Sequence, residues 1–168
     1  MAMIYAMRFL ALALVASTSL FIKPSFAENP DHVAKLKNTR QCPGCDLSGA
    51  DLSGMTLKNA NLKGANLRSA QLSEVNLLQA DLEGAILTGA KLNGANLIGA
   101  NLKNAKLISA NLTRAKFMDA SMSGANLSNA NVDEANFTGA NINGVIFIGA
   151  FRCSYATASD GSSGLRCN

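Results

Sequence analysis

The sequence predicts an all-β solenoid, a chain wound into coils that stack on one another. Two observations lead there. A large apolar residue recurs at every fifth position from Leu47 to Phe147, and a small residue, usually Ala, stands two places before it. A period of five fits neither ordinary element. Five residues of α-helix advance about 500°, so the large residues would step around every side and leave no apolar stripe. In a flat strand an odd period sends successive large residues to opposite faces. The chain must therefore turn once per unit, and units that turn at a fixed interval stack into a coil.

The 168 residues have room for one domain. Residues 1–27 read as a secretory signal peptide. Arg8 precedes an apolar run at 9–22, Lys23 and Pro24 follow, and "SFA" at 25–27 offers small residues for cleavage after Ala27. The run is shorter than the ~20 residues a spanning helix needs, so no stable membrane anchor is expected after cleavage. Cleavage removes Arg8 and Lys23 and no carboxylate, so the formal charge falls from +4 to +2. Export places the mature chain in the periplasm or the thylakoid lumen.

Residues 28–44 read as an N-terminal cap over the open edge of the coil. Asn29 can cap a helix, Pro30 suits its first turn, and Asp31 favours its dipole. Val33 and Leu36 share one face of a helix near 30–40. His32, the only histidine, has no cluster of ligands beside it and reads as surface decoration.

Residues 45–150 carry the repeat. Of the 21 unit centres, fifteen are Leu; the others are Phe117, Met122, Val132, Phe137, Ile142 and Phe147. Ala fills position i−2 except at Cys45, Met55, Val75 and Val145. Positions i−2 and i lie two apart and face inward together, while i−1, i+1 and i+2 face out. Asn at i−1 and Gly at i+2 serve the turns, through side-chain hydrogen bonds and positive φ.

The motifs "GADLSG", "GANLRSA" and "GANLIGANL" fit A(N/D)LxG, and the chain resembles the pentapeptide-repeat family, especially its exported cyanobacterial members. That resemblance implies a right-handed quadrilateral β-helix with four units per coil. Residues 45–150 would then give about five coils, roughly 25 Å tall at the ~4.8 Å spacing of paired strands. Sites twenty apart would stack. Met55 and Val75 would share a column with Ala95, Ala115 and Ala135, and the centres beside the last two are Phe117 and Phe137. Bulky i−2 accompanies Leu and small i−2 allows Phe, as conserved core volume requires.

The pattern fails after Ala150, and residues 151–168 read as a C-terminal cap. Phe151, Tyr155 and Leu165 are candidates to lie over the last coil. Similar sequences in the family often carry a Cys-Pro-x-Cys lead-in and a "DG" turn between two C-terminal cysteines. "CPGC" at 42–45 and Asp160-Gly161 between Cys153 and Cys167 resemble both.

Four cysteines in an exported chain suggest disulfides. The two ends lie across the whole stack, which disfavours pairing between them. That leaves Cys153–Cys167 and Cys42–Cys45, with the second pair open between a bond and free thiols. Cys42-Pro43-Gly44-Cys45 also has the spacing of a thiol-disulfide redox motif. Such a site needs a strand-to-helix setting and a thiol of lowered pKa. Here the motif leads into a coil, and Cys45 takes an inward place.

No Ser-His-Asp set, metal cluster or phosphate loop stands out, so neither catalysis nor a cofactor is expected. Eight basic and eight acidic side chains at 45–150 give no electrostatic case for nucleic acid or an anionic membrane. The expected function is a non-catalytic, protein-binding or structural scaffold. A CxxC redox protein is the alternative. The family also includes inhibitors of DNA gyrase that imitate DNA, but these need an acidic surface and a cytoplasmic location. One outward column stands apart: Leu78, Ile98 and Met118 occupy i+1 in three successive coils, between Lys58 and Thr138. It is a candidate stripe for docking an unidentified protein or a second copy of the chain.

Overall fold

The computed structural model describes residues 29–150 in full and, beyond them, only the backbone of two strands. The signal peptide expected at 1–27 lies outside the described residues. So do Phe151, the Asp160-Gly161 turn, and the side chains of Tyr155 and Leu165.

Every β-bridge between coils is parallel and joins residues twenty apart, from Gln41↔Asn61 to Asn126↔Ile146. Twenty residues are four units, so each coil has four sides with a turn at each corner. The unit Asn96–Ala100 shows why the chain closes this way. Asn96 N–H donates to Val75 O on the coil before (2.9 Å). Leu97 N–H and Gly99 N–H donate to Lys116 O and Met118 O on the coil after (2.8 and 2.9 Å). Ala100 N–H turns the corner onto Leu97 O (3.1 Å). The remaining donor, Ile98 N–H, goes to the Asn96 side-chain oxygen (3.2 Å). All five backbone donors are satisfied, as a buried backbone requires.

Asn or Asp at i−1 thus has a specific task. Its side-chain oxygen takes the one N–H that the coil cannot, as Asp51 does for Ser53 (3.1 Å) and Asn111 for Thr113 (3.1 Å). Position i+2 is left-handed at every corner from Gly44 to Gly149, whether or not it is glycine; Asn104 sits at φ 56 and Glu134 at φ 57.

The inward residues form one continuous core from Cys42 to Phe137, with Met55 half-buried among them. Phe117 and Phe137 stack at 4.9 Å beside Ala115 and Ala135, which leave them the room. On the last coil Ala140, Ile142, Val145, Phe147 and Ala150 are only partly covered.

Helix α1 spans Pro30–Thr39. The Asn29 side chain accepts from Asp31 N–H and His32 N–H, and Arg40, at φ 54, ends the helix by returning its N–H to Leu36 O. Val33 and Leu36 are buried in the same cluster as Cys42, Cys45 and Leu47. The ladder begins one unit earlier than Cys45. Gln41 is bridged to Asn61, and Cys42 N–H donates to Asn61 O (2.8 Å), so Gln41–Gly44 belong to the coil. Cysteine in place of Leu hides that unit from a search for large apolar centres.

After the coil, strands β1 (Cys153–Thr157) and β2 (Ser163–Cys167) form an antiparallel hairpin. Its register sets Cys153 opposite Cys167.

Candidate functional site

Leu78, Ile98 and Met118 fall where the repeat puts them, one per coil on the same side of the stack. Their carbonyl oxygens accept from Asn59, Gln79 and Gly99 N–H, each at 2.9 Å. Leu78 and Ile98 are fixed again by Asn76 and Asn96, whose side-chain oxygens take their N–H groups (3.1 and 3.2 Å). The three are half-buried, so the stripe is a low ridge on a flat side. Thr138 continues the column, and Lys58 precedes it.

A second apolar patch lies on another side of the last coil. Ile146 and Ile148 are 40% and 74% exposed and flank the centre Phe147. Ile148 shows in the sequence only as one more apolar i+1 residue; its exposure follows from its place at the end of the described coil.

At the other end, the structure joins Cys42 to Cys45 in a disulfide. Both cysteines are buried, Cys42 at the centre place and Cys45 at the i−2 place of their units. The side chains of Cys153 and Cys167, the other expected pair, lie outside the described residues.

His32 is not surface decoration. Its Nδ1 accepts from Asp46 N–H (3.0 Å), and its carbonyl oxygen lies 3.4 Å from Cys42 Sγ. The ring bond ties the first turn of α1 to the residue that follows Cys45. The sequence gives no sign of this, because the partner is a backbone N–H fourteen residues away. Asp46 has its own bonds, from Ser48 Oγ (2.7 Å), Ser48 N–H (3.2 Å) and Asn66 Nδ2 (2.9 Å). These, led by Ser48, hold its carboxyl below the usual range.

Charged residues pair along columns. Lys63 meets Glu83 at 3.0 Å, and Arg114 grips Glu134 through two nitrogens at 2.7 and 3.3 Å. Each pair hydrogen-bonds across one coil spacing, which lowers the two glutamates and raises Lys63 and Arg114. All four are exposed, where such pairs add little stability. Among the described residues no three His, Cys, Asp or Glu side chains cluster to hold a metal, and no helix is long and apolar enough to cross a membrane.

Comparison with known proteins follows the same lines. The family model described as pentapeptide repeats matches in eight copies, over residues 45–84, 85–124 and 120–151. A pentapeptide repeat protein, Rfr23, from the cyanobacterium Cyanothece 51142 is 33% identical, with 72% of this chain and 92% of that one covered and a TM-score of 0.52. Another, from Nostoc PCC 7120, is 31% identical over 59% of this chain and 80% of its own, with a TM-score of 0.52. A thylakoid-lumen pentapeptide repeat protein from Arabidopsis thaliana is 38% identical over 58% and 65%, at a TM-score of 0.37. No curated protein matches the chain significantly. A coil of four five-residue units, a family model matching from 45 to 151 and a cyanobacterial relative covered almost end to end agree, and the chain belongs to the pentapeptide repeat family of right-handed β-helices.

Proposed function

We propose that the protein is a non-catalytic, exported scaffold that binds a protein partner through the side carrying Leu78, Ile98 and Met118. The observation that carries the proposal is that column. Three large apolar side chains occupy i+1 in three successive coils, at a position where Ser, Thr, Lys and Asn otherwise predominate. Their backbone is held by the ladder and by Asn76 and Asn96, so the side is preorganised and little ordering is lost on docking. The outer members stand ~10 Å apart, at two strand spacings. An interface built on them alone is weak and needs the polar residues around them.

Balanced charge over the coil supports a protein partner over nucleic acid and weighs against DNA imitation. Burial of Cys42 and Cys45 disfavours a thiol-disulfide oxidoreductase, whose attacking sulfur must be within reach of its substrate. The signal-like residues 1–27 support export to the periplasm or thylakoid lumen.

Cross-linking in the native compartment, with identification of what is captured, tests the proposal when run beside the Leu78→Ser/Ile98→Ser/Met118→Ser variant. The variant is expected to fold and to lose the partner. A variant that keeps every partner and the same oligomeric state overturns the role of this side.

A further inference from the structure

We infer that Asn143 is a site of spontaneous deamidation at the end of the stack, and that the inner coils shield the same dipeptide from the same reaction at Asn93. The chain has two Asn-Gly dipeptides, Asn93-Gly94 and Asn143-Gly144. Both take the i+1 and i+2 places of a unit, and both glycines have φ 69. Their surroundings differ. Gly94 N–H donates to Thr113 O on the coil after (2.8 Å), and Asn93 O accepts Glu74 N–H from the coil before (3.0 Å). The Asn93 side-chain oxygen also accepts from Ser73 Oγ (2.9 Å). At the end of the stack Asn143 O still accepts Gly124 N–H (3.0 Å), but among the described residues no carbonyl of a further coil takes the Gly144 N–H. The chain beyond forms no such coil, because β1 and β2 pair with each other. Asn143 and Gly144 are both exposed.

The reaction uses the glycine nitrogen as nucleophile and the asparagine Cγ as electrophile. The peptide rotates until the two meet, and the nitrogen gives up its proton. The N–Cγ bond forms, the side-chain nitrogen leaves as ammonia, and a succinimide ring remains. Water then opens the ring at either carbonyl. One opening gives aspartate; the other leaves the main chain running through the side chain, as isoaspartate. Water is the only co-reactant. A peptide bonded on both edges cannot rotate without breaking a ladder hydrogen bond, and a bonded N–H gives up its proton less readily. The Asn93-Gly94 peptide carries both restraints. The Glu74 carboxyl also lies against Gly94 and opposes negative charge on its nitrogen. Gly144 has only the backbone of Gly124 near the place a side chain would take. Deamidation of Asn143 puts a carboxylate, and in the isoaspartyl form one more main-chain carbon, into the coil that carries Ile146 and Ile148.

The test incubates the folded protein in mildly alkaline buffer and follows both sites by peptide mass, since exchange of the amide for an acid adds one mass unit. Asn93 is the internal reference. A parallel incubation in denaturant gives the rate of each site without the fold. With each folded rate divided by its denatured rate, Asn143 is expected to react faster than Asn93 by about fivefold or more, the effect of one hydrogen bond. Equal normalised rates, or a faster Asn93, overturn the inference. So does an Asn143 that keeps its amide in the folded protein while the denatured chain loses it. Amide hydrogen exchange gives a second readout that involves no bond cleavage in the side chain. Gly144 N–H should exchange faster than Gly94 N–H, and equal protection at the two glycines also overturns the inference.

Discussion

Leu112 and Asn111 are neighbours in the chain and opposites in the coil. Leu112 is fully buried, whereas Asn111 faces out and accepts Thr113 N–H and Thr113 Oγ1 (3.1 and 2.7 Å). Leu112→Asp buries an unpaired charge and should cost several kcal/mol. Asn111→Asp keeps the acceptor and should change stability by no more than about 0.5 kcal/mol, whereas Asn111→Ala orphans a backbone donor and should cost about 1 kcal/mol. Thermal melts of the three variants check this order; equal midpoints for the two Asp variants would contradict the assigned register. The glycines give a second residue-scale contrast. Gly54 and Gly139 share the left-handed backbone, at φ 65 and 70. A methyl on Gly54 meets nothing within 4 Å, but on Gly139 it runs into Asp119 Oδ1, with the Asp119 backbone nitrogen 3.7 Å away. Gly54→Ala should cost about 1 kcal/mol, the left-handed penalty alone. Gly139→Ala should cost somewhat more, because the Asp119 carboxyl must shift aside to admit the methyl. Denaturant midpoints of the two variants, measured side by side, decide it.

At the scale of elements, helix α1 was legible in the sequence because its ends carry their own marks: Asn29, Pro30 and Asp31 at the start, Val33 and Leu36 on one face. Its fastening was not. His32 reaches Asp46 through a backbone group that any residue would supply, so no residue type flags the contact. The first unit was hidden for a related reason, since Cys42 fills a Leu place with a smaller side chain. Five-residue spacing exposed the inward columns, because burial selects size at every centre. It exposed the turns less sharply: the left-handed corner tolerates Arg114 and Glu134 as well as glycine. The candidate stripe was readable as a column once sites twenty apart were stacked, but its half-buried state depends on relief that spacing does not encode. For the hairpin, the register sets Cys153 opposite Cys167. These two cysteines should be bonded when the chain is made in an oxidising compartment, closing a loop of roughly 15 residues worth about 3 kcal/mol in the chain-entropy model. Mass spectrometry without reduction tests this, and two free thiols there would refute it.

At the scale of the molecule, stability comes from a core that runs the length of the stack, and among the described residues the charged side chains lie outside it. Asp46, Asp51, Glu83 and Glu134 are all held below their ordinary range in the folded state, by hydrogen bonds from Ser48, Ser53, Lys63 and Arg114 respectively. The stability they contribute is present above the unfolded values of 3.8 for Asp and 4.5 for Glu, and is lost as pH falls through the folded ones. The melting midpoint should therefore decline as pH falls below about 4. A midpoint that rises on acidification would contradict the signs. The twenty-residue coil also bears on how such a gene can change. A duplication that copies one full coil adds a storey ~4.8 Å high and leaves every side facing as before. One that copies a single unit turns everything beyond it by a quarter, splitting Leu78, Ile98 and Met118 between two walls if it falls among them. Insertions of both lengths can preserve the core, but only the longer keeps what the protein shows to its surroundings, so selection on a binding side would favour growth by whole coils.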